Sequence, residues 1–274
     1  MSKVIVVTSG KGGVGKTTTS ASFAMGLANA GYKTVVIDFD IGLRNLDLVM
    51  GCERRVIYDV ASIIHGEASV KQTLIKDKNN PNLQILAASQ TRDKNILTLE
   101  AVSRIMEELR QSFDFIVCDS PAGIEQGALM AMYFADCALV VSNPEVSSVR
   151  DADRILGFLD SKTLLASQGK EIEKYLVVTR YALKRVSSGD MMSLEDIKEL
   201  LGIPLLAVIS ECPSVLKASN LGEPVILDKK SKAGQDYQQL IRKFLHGRSG
   251  DVNEAIKKPT FLQRLFKNNR ELVA

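Results

Sequence analysis

The chain has 274 residues, of which 45% are hydrophobic and 24% charged, and its formal net charge is +3. This composition is typical of a globular protein with a sizeable core. No apolar run reaches roughly 18 residues, which argues against a membrane-spanning helix. Two His residues and four Cys residues without a C-x-x-C pair argue against a zinc site. The strand-like run directly after Met1, Ser2 and Lys3 predicts that no signal peptide is present.

The surplus of positive charge lies at the C-terminal end of the chain. Residues 247–274 contain six basic and three acidic side chains, so residues 1–246 are neutral overall. Broad nucleic-acid binding needs a basic face. The neutral body therefore argues against nucleic acid as a partner.

Apolar, β-branched runs alternate with amphipathic stretches through residues 1–246. The runs predict strands at 3–8, 34–38, 83–87, 115–119, 138–142, 176–179 and 205–209. The amphipathic stretches predict helices at 16–30, 99–112, 148–159, 193–201 and 232–245. This alternation predicts an α/β fold with a mostly parallel sheet and helices on both faces. Ligands are then expected beyond the carboxyl ends of the strands.

Residues 10–17 read G-K-G-G-V-G-K-T and match the phosphate-loop motif G-x-x-x-x-G-K-[ST]. The segment follows a predicted strand and opens a predicted helix, which is the context that the motif requires. Glycines allow the backbone N–H groups to surround phosphates, and the helix N-terminus adds positive potential. The motif predicts a nucleoside triphosphate as ligand.

The residues of this loop have separate expected roles. We expect the backbone to bind ATP phosphates at Gly12, Gly13, Val14 and Gly15. Lys16 should contact the β- and γ-phosphates, Thr17 should offer its hydroxyl to Mg²⁺, and Thr18 should bond a further phosphate. Lys11 is a second lysine in the loop, and we expect it to reach a phosphate of its own or a partner subunit. The alternative for Lys11 is a solvated loop residue.

Three aspartates follow predicted strands. Asp119 ends the run 115–119, where a Walker-B carboxylate holds Mg²⁺ through water. Asp38 ends the run 34–38, and Asp40 follows it in a polar loop. We expect Asp38 to support Mg²⁺ without touching it and Asp40 to position the attacking water. The alternative for both is a capping role in a turn or helix.

At these residues the chain resembles the deviant Walker-A (ParA/MinD) family of ATPases, whose signature K-G-G-V-G-K-T-T stands here at 11–18. Within the family it is most similar to the branch that determines the bacterial division septum. The segments that carry this resemblance are 38–47, 118–125, 143–151 and 218–225. The likeness covers nearly the whole body and recurs at the extreme C-terminus.

The resemblance implies a P-loop NTPase fold and Mg²⁺-dependent hydrolysis of ATP to ADP and phosphate. It also implies a homodimer with ATP between the subunits, in which Lys11 crosses to the partner's phosphates. Lys11, Lys16 and Asp40 would then be catalytic, and the base would lie near Thr179, Arg180 and Pro213.

The resemblance also implies partners and a place in the cell. The dimer would recruit a division inhibitor (MinC), and a second partner (MinE) would stimulate hydrolysis. Glu125, Asp151 and Asp153 match the family's partner-binding surface, and the alternative for these three is ordinary solvated charge. The protein would be cytoplasmic and peripheral on the cytoplasmic face of the cell membrane.

The composition changes at Gly247, and we interpret 247–258 as a flexible linker and 259–274 as an amphipathic helix. On a helical projection an apolar face opposes a basic one, a pattern typical of interfacial helices. The apolar face has Phe261, Leu262, Leu265 and Phe266, and the basic face has Arg264 and Lys267. A single short helix should bind lipid weakly, so pairing of two subunits would strengthen binding. The alternative is a helix docked on its own domain.

Three other functions fit parts of the sequence. A ParA-type DNA-partition ATPase shares the loop but needs affinity for DNA. A flagellar-placement ATPase is a close relative with an extension before its first strand, which this chain lacks. A nucleotide-gated scaffold would bind ATP with negligible hydrolysis.

Overall fold

The protein is described here by a computed structural model that covers residues 2–90 and 96–246. The predicted linker at 247–258 and the predicted helix at 259–274 lie outside the described residues. The same holds for the tail residues expected to contact lipid.

An eight-stranded sheet forms the centre of the described molecule. The strands are β1 (Lys3–Thr8), β2 (Thr34–Asp38), β3 (Ile75–Lys76), β4 (Leu83–Leu86), β5 (Phe115–Asp119), β6 (Cys137–Ser142), β7 (Glu173–Tyr181) and β8 (Leu205–Ser210). They are ordered β3-β4-β2-β5-β1-β6-β7-β8. Every pairing is parallel except that of β3 with β4. The predicted parallel α/β sheet is confirmed.

Helices connect the strands and cover the sheet. They are α1 (Lys16–Asn29), α2 (Leu46–Val49), α3 (Val60–Ile64), α4 (Val70–Thr73), α5 (Leu99–Ser112), α6 (Gln126–Tyr133), α7 (Val146–Ser161), α8 (Leu164–Ser167), α9 (Leu183–Ser187), α10 (Leu194–Leu201), α11 (Pro213–Asn220) and α12 (Lys232–His246), with 3-10 turns at Glu53–Arg55 and Val225–Leu227. No helix among residues 2–90 and 96–246 is long and apolar enough to cross a bilayer.

Alternate residues of the strands face two separate cores. In β1, Val4 and Val6 belong to the core under α5, α6 and α7, whereas Ile5 and Val7 belong to the core under α1 and α12. Strands covered on both faces read as continuous apolar runs, which is why β1 and β6 were recognisable from sequence. Fully burying each large aliphatic side chain contributes about 1.5–3 kcal/mol, so these two layers hold the sheet in place.

The phosphate-loop helix α1 packs directly against α12, the last described helix. Gly26 permits this approach, because a Cβ at that position would lie 2.3 Å from the Ile241 side chain. Deeper in the contact, the hydroxyl groups of Thr19 and Tyr237 are 2.9 Å apart and fully buried. The helix that leads to the C-terminal segment is therefore fixed to the helix that opens at the phosphate loop.

Several short elements were not identified from the sequence. The segment of α6 is mostly apolar, so it lacks the polar side of an amphipathic pattern. Strand β3 has only two residues and is an antiparallel edge, which is too short for any periodic signal. The predicted strands and the long helices agree with the structure to within about three residues, the usual uncertainty of element ends.

Candidate nucleotide site

The loop between β1 and α1 has the backbone geometry of a phosphate cradle. Gly13 and Gly15 adopt φ values of 74° and 94°, a left-handed region that residues with a Cβ rarely adopt. Gly15 directly precedes α1, and no side chain caps the first turn of this helix. The N–H groups of that turn are thus available to an anion, as the motif predicted.

Contacts from distant parts of the chain hold the loop in this shape. The Thr179 hydroxyl donates a 2.6 Å hydrogen bond to the carbonyl oxygen of Val14. Gly10 packs against the α7 backbone so closely that a Cβ there would lie 2.3 Å from the carbonyl oxygen of Asp151. The loop is therefore positioned by β7 on one side and by α7 on the other before any ligand arrives.

Lys16 is buried at the centre of the loop. Its side-chain amine donates to the Ser9 hydroxyl at 2.9 Å and to the carbonyl oxygen of Lys11 at 3.4 Å. Burial lowers the pKa of Lys16, while the nearby charges of Asp119 and Asp40 act in the opposite direction. A phosphate would replace neutral partners with a charged one, which is a stronger type of hydrogen bond.

Asp119 and Asp38 lie side by side at the carboxyl ends of β5 and β2, where they are register partners. Both are buried. The Ser20 hydroxyl donates to Asp119 at 2.7 Å. Burial raises the pKa of Asp119 to about 6, although hydrogen bonds from Ser20 and Thr17 oppose the shift. Burial and the charge of Asp119 raise the pKa of Asp38 well above its usual range.

These residues fit a magnesium ion. Mg²⁺ prefers hard oxygen ligands, and the site offers the Thr17 hydroxyl hydrogen-bonded to the carboxylate of Asp119. Burial raises the pKa of both carboxyl groups, and the charge of Asp119 adds to the shift of Asp38, so a divalent cation would stabilise their charged forms. Asp38 is additionally fixed by N–H groups of Asp40 at 2.8 Å and Leu46 at 3.2 Å.

Asp40 opens the loop that follows β2 and is half-buried. Its carbonyl oxygen accepts the N–H groups of Leu43 and Arg44, and Arg44 has a positive φ of 46°. The charge of Asp40 influences both Lys16 and Asp119. The structure thus brings Asp40 to the same edge of the sheet as the loop lysine and the buried carboxylates.

Lys11 points away from the cradle, toward the start of α7. Its side-chain nitrogen is 2.7 Å from a carboxylate oxygen of Glu145 and 3.0 Å from the Ser147 hydroxyl. The hydrogen bond from Lys11 is the main reason that the pKa of Glu145 is lowered. Lys11 thus has two partners in its own subunit, although its side chain remains 38% exposed.

The predicted base-binding residues lie in neighbouring loops at the same edge of the sheet. Arg180 is exposed near the end of β7 with a φ of 53°, where the pairing with β8 is irregular. Pro213 is exposed at the first position of α11, directly after β8. Proline is favoured at this position because its N–H is not needed there.

The three acidic residues of the expected partner surface lie around α6 and α7. Glu125 is exposed just before α6, Asp153 is exposed on α7, and Asp151 is half-buried. A cavity of about 540 Å³ lies between α7 and the loop just before α6, with Ile124 and Phe158 in its lining. An apolar depression rimmed by charge is typical of a surface that binds another molecule.

Sequence reasoning missed three residues that shape the site, Ser9, Ser20 and Glu145, and it expected Thr179 near the base rather than at the phosphate loop. Ser20 had a recognisable signal, since it stands three residues after Thr17 on one face of α1. Thr179 and Glu145 contact the loop across 165 and 134 positions of sequence, respectively. Glu145 lies inside a segment that carried the resemblance, but nothing local indicated its contact with Lys11.

Comparisons with known proteins agree with this geometry. A model of the AAA domain family matches residues 2–168. The septum site-determining protein MinD of Neisseria meningitidis serogroup B is 60% identical over 270 residues, covering 97% of this chain and 99% of that protein. Among solved structures, the MinC:MinD cell division protein complex of Aquifex aeolicus matches with a TM-score of 0.80 and 40% identity, covering 92% of this chain and 99% of that one.

A second solved structure bears on the ligand. The septum site-determining protein MinD of Pyrococcus horikoshii OT3, complexed with Mg-ADP, matches with a TM-score of 0.79 and 27% identity. The match covers 90% of this chain and 98% of that one. Each of these three similarities to a MinD protein extends over nearly the full length of both chains.

Proposed function

Because the chain belongs to the MinD family of septum site-determining ATPases, we propose that it positions the bacterial division septum as an ATP-driven homodimer that cycles on and off the membrane. The observation that supports this most is the convergence of the phosphate loop, Lys16, Asp38 and Asp119 at one edge of the sheet. This is the edge where parallel α/β sheets bind their ligands.

The loop binds the phosphates of ATP through the N–H groups of Gly12, Gly13, Val14 and Gly15. Lys16 exchanges its neutral partner Ser9 for the β- and γ-phosphates. Thr18 adds a hydroxyl at the start of α1. Thr17 would hold Mg²⁺ with its hydroxyl and Asp119 would hold it through water, with Asp38 behind them, and the ion would supply positive charge to the phosphates.

Hydrolysis depends on Asp40, which orients the attacking water toward the γ-phosphate, opposite the departing ADP. Its place in the loop after β2, from which its charge acts on Lys16 and Asp119, supports this role. Lys11 of one subunit contributes positive charge to the phosphates of the other, so that catalysis requires the dimer. Arg180 and Pro213 line the site of the adenine base.

Dimerisation links the nucleotide state to membrane binding. Residues 259–274 bind anionic lipid with Phe261, Leu262, Leu265 and Phe266 inserted and with Arg264 and Lys267 facing the headgroups. One such helix binds weakly, and two on one dimer bind together with higher avidity. The surface around Glu125, Asp151 and Asp153 recruits MinC and also binds the stimulating partner MinE. On this account both partners bind the acidic side chains of this surface.

ATP turnover tests the catalytic part of this proposal. The full chain should release phosphate in a Mg²⁺-dependent reaction that anionic liposomes and MinE accelerate. Asp40→Ala should retain ATP binding and lose turnover, whereas Lys16→Ala should lose both. Turnover that stays negligible with lipid and MinE would instead identify a nucleotide-gated scaffold. Retention on DNA that falls steeply with salt would favour a partition ATPase.

A further inference from the structure

Lys11 is held within its own subunit by a set of side chains at the start of α7. Its ammonium contacts Glu145 at 2.7 Å and Ser147 at 3.0 Å. The other carboxylate oxygen of Glu145 accepts a 2.6 Å hydrogen bond from the amide of Asn143. Asn143 is only 5% exposed, so the Glu145 carboxylate is held in place by a buried residue.

Glu145 has an unusual position for such a role. It is the N-cap residue of α7, where short side chains normally bond to the first N–H groups of the helix. The Glu145 side chain does not cap the helix. Both of its oxygens are instead occupied by Lys11 and Asn143. The local sequence therefore places a carboxylate where it serves the phosphate loop rather than the helix that it begins.

The same ammonium cannot serve two anions in different places. The proposed function requires Lys11 to reach a phosphate across the subunit interface, which means that it must leave Glu145. We propose that Asn143, Glu145 and Ser147 form a carboxylate latch that restrains Lys11 in the unpaired subunit and opens when a triphosphate competes for it. The latch thereby sets the protein concentration at which subunits pair, and it rests on the proposed function.

The exposure of the pair limits the size of the effect. The Lys11 and Glu145 side chains are 38% and 50% exposed. An ion pair of this kind changes an equilibrium constant by up to about 5-fold. A dimer opens two latches, and independent effects multiply, so the dimerisation constant should change by up to about 25-fold.

Sedimentation velocity of hydrolysis-blocked protein tests the latch. In the Asp40→Ala background with ATP and Mg²⁺, Glu145→Gln should lower the protein concentration at half-dimerisation by up to about 25-fold. Ser147→Ala, which removes one bond without changing charge, should shift it in the same direction by less. An unchanged or higher concentration for Glu145→Gln would overturn the latch.

The chain provides a matched control in the Lys3–Glu173 pair. The side-chain nitrogen of Lys3 lies 2.9 Å from a carboxylate oxygen of Glu173, and the two side chains are 33% and 52% exposed. The pair lies at the amino ends of β1 and β7, away from the phosphate loop. Glu173→Gln should leave the protein concentration at half-dimerisation equal to that of the Asp40→Ala parent. If Glu173→Gln shifts dimerisation as Glu145→Gln does, the effect is one of net charge and the latch is wrong.

One outcome separates the latch from the proposed function. If the Asp40→Ala parent stays monomeric with ATP, the proposed dimer fails, and Lys11 can meet only the phosphates of its own subunit. ATP affinity measured in the same samples then decides about the latch. Several-fold tighter ATP binding by the Glu145→Gln monomer than by its parent would uphold it, whereas equal or weaker binding would overturn it.

Discussion

Asp38 and Asp119 are register partners on adjacent parallel strands, and both carboxyl groups are buried at the edge of the sheet where the phosphate loop begins. Without a cation, burial disfavours the charged forms of both carboxyl groups, and the charge of Asp119 further disfavours that of Asp38. Burial and this repulsion therefore make the pair costly to the empty protein and suited to a divalent ion. The same arrangement that serves the nucleotide site should reduce the stability of the empty protein.

Asp119→Asn should stabilise the empty protein at pH 8. Its pKa rises from 3.8 to about 6 on folding, so between these values the folded state keeps a proton that the unfolded chain has lost. The contribution of Asp119 to the free energy of unfolding therefore falls as the pH rises through that window and is fully lost above it. Asn keeps an acceptor for Ser20 and removes the charge, with an expected gain on the order of 1–3 kcal/mol.

Urea unfolding with a chelator present, at pH 5 and pH 8, measures this effect. The gain for Asp119→Asn should be larger at pH 8 than at pH 5, while Mg²⁺-dependent ATP binding should weaken. A variant that is less stable than the parent at pH 8 would show that the buried carboxylate is stabilising.

Gly10→Ala should destabilise the protein, because its Cβ would lie 2.3 Å from the backbone oxygen of Asp151. Neither the loop nor α7 can yield without moving backbone, and overpacking of this kind costs about 1–3 kcal/mol. Gly12→Ala is the matched substitution in the same loop, since its Cβ would meet Ala122 at an ordinary 4.0 Å. Thermal unfolding of the nucleotide-free variants should show a clear loss for the first and little for the second. Equal losses would contradict the close contact of loop and helix.

Cys212 should be the most reactive thiol in the folded, described part of the chain. A side-chain hydrogen bond from Ser214 and N–H groups at the starts of α11 and α12 lower its pKa. Burial raises the pKa of Cys52 and of Cys137 to about 12, and that of Cys118 even further. Because the thiolate is the nucleophile, iodoacetamide at pH 8 should label Cys212 at least about 10-fold faster than the others.

Mass spectrometry of the labelled peptides checks this order, and urea should abolish the differences. The assignment of the adenine site near Pro213 adds a second expectation, that ATP slows the labelling of Cys212. If ATP does not affect the labelling of Cys212, the adenine base does not bind near Pro213. Fast labelling of a buried cysteine would contradict the packing.

The sequence predicted the parts of the site that depend on local pattern. The phosphate loop, Lys16 and the aspartates at strand ends each stand in a fixed relation to a strand or helix that the residues around them specify. Parallel pairing then brings Asp38 next to Asp119 without further information. These positions could be identified because a parallel sheet collects its strand ends at one edge.

Contacts between distant segments could not be predicted in this way. The bond from Thr179 to Val14, the contact of Gly10 with α7 and the capture of Lys11 by Glu145 depend on how helices and strands pack. No periodicity in the chain encodes them. The sequence therefore predicted a role for Lys11, and the structure adds its contacts with Glu145 and Ser147.

The account's central claim is that nucleotide-driven pairing controls attachment to lipid. Co-sedimentation of the full Asp40→Ala chain with anionic liposomes, alongside sedimentation velocity without lipid, tests it most directly. ATP with Mg²⁺ should give dimers and bound protein, ADP should give monomers that stay in solution, and Phe266→Glu should leave the dimer intact but unbound. A protein that coats liposomes equally with ADP and ATP, or that binds lipid as a monomer saturated with ATP, would contradict the claim.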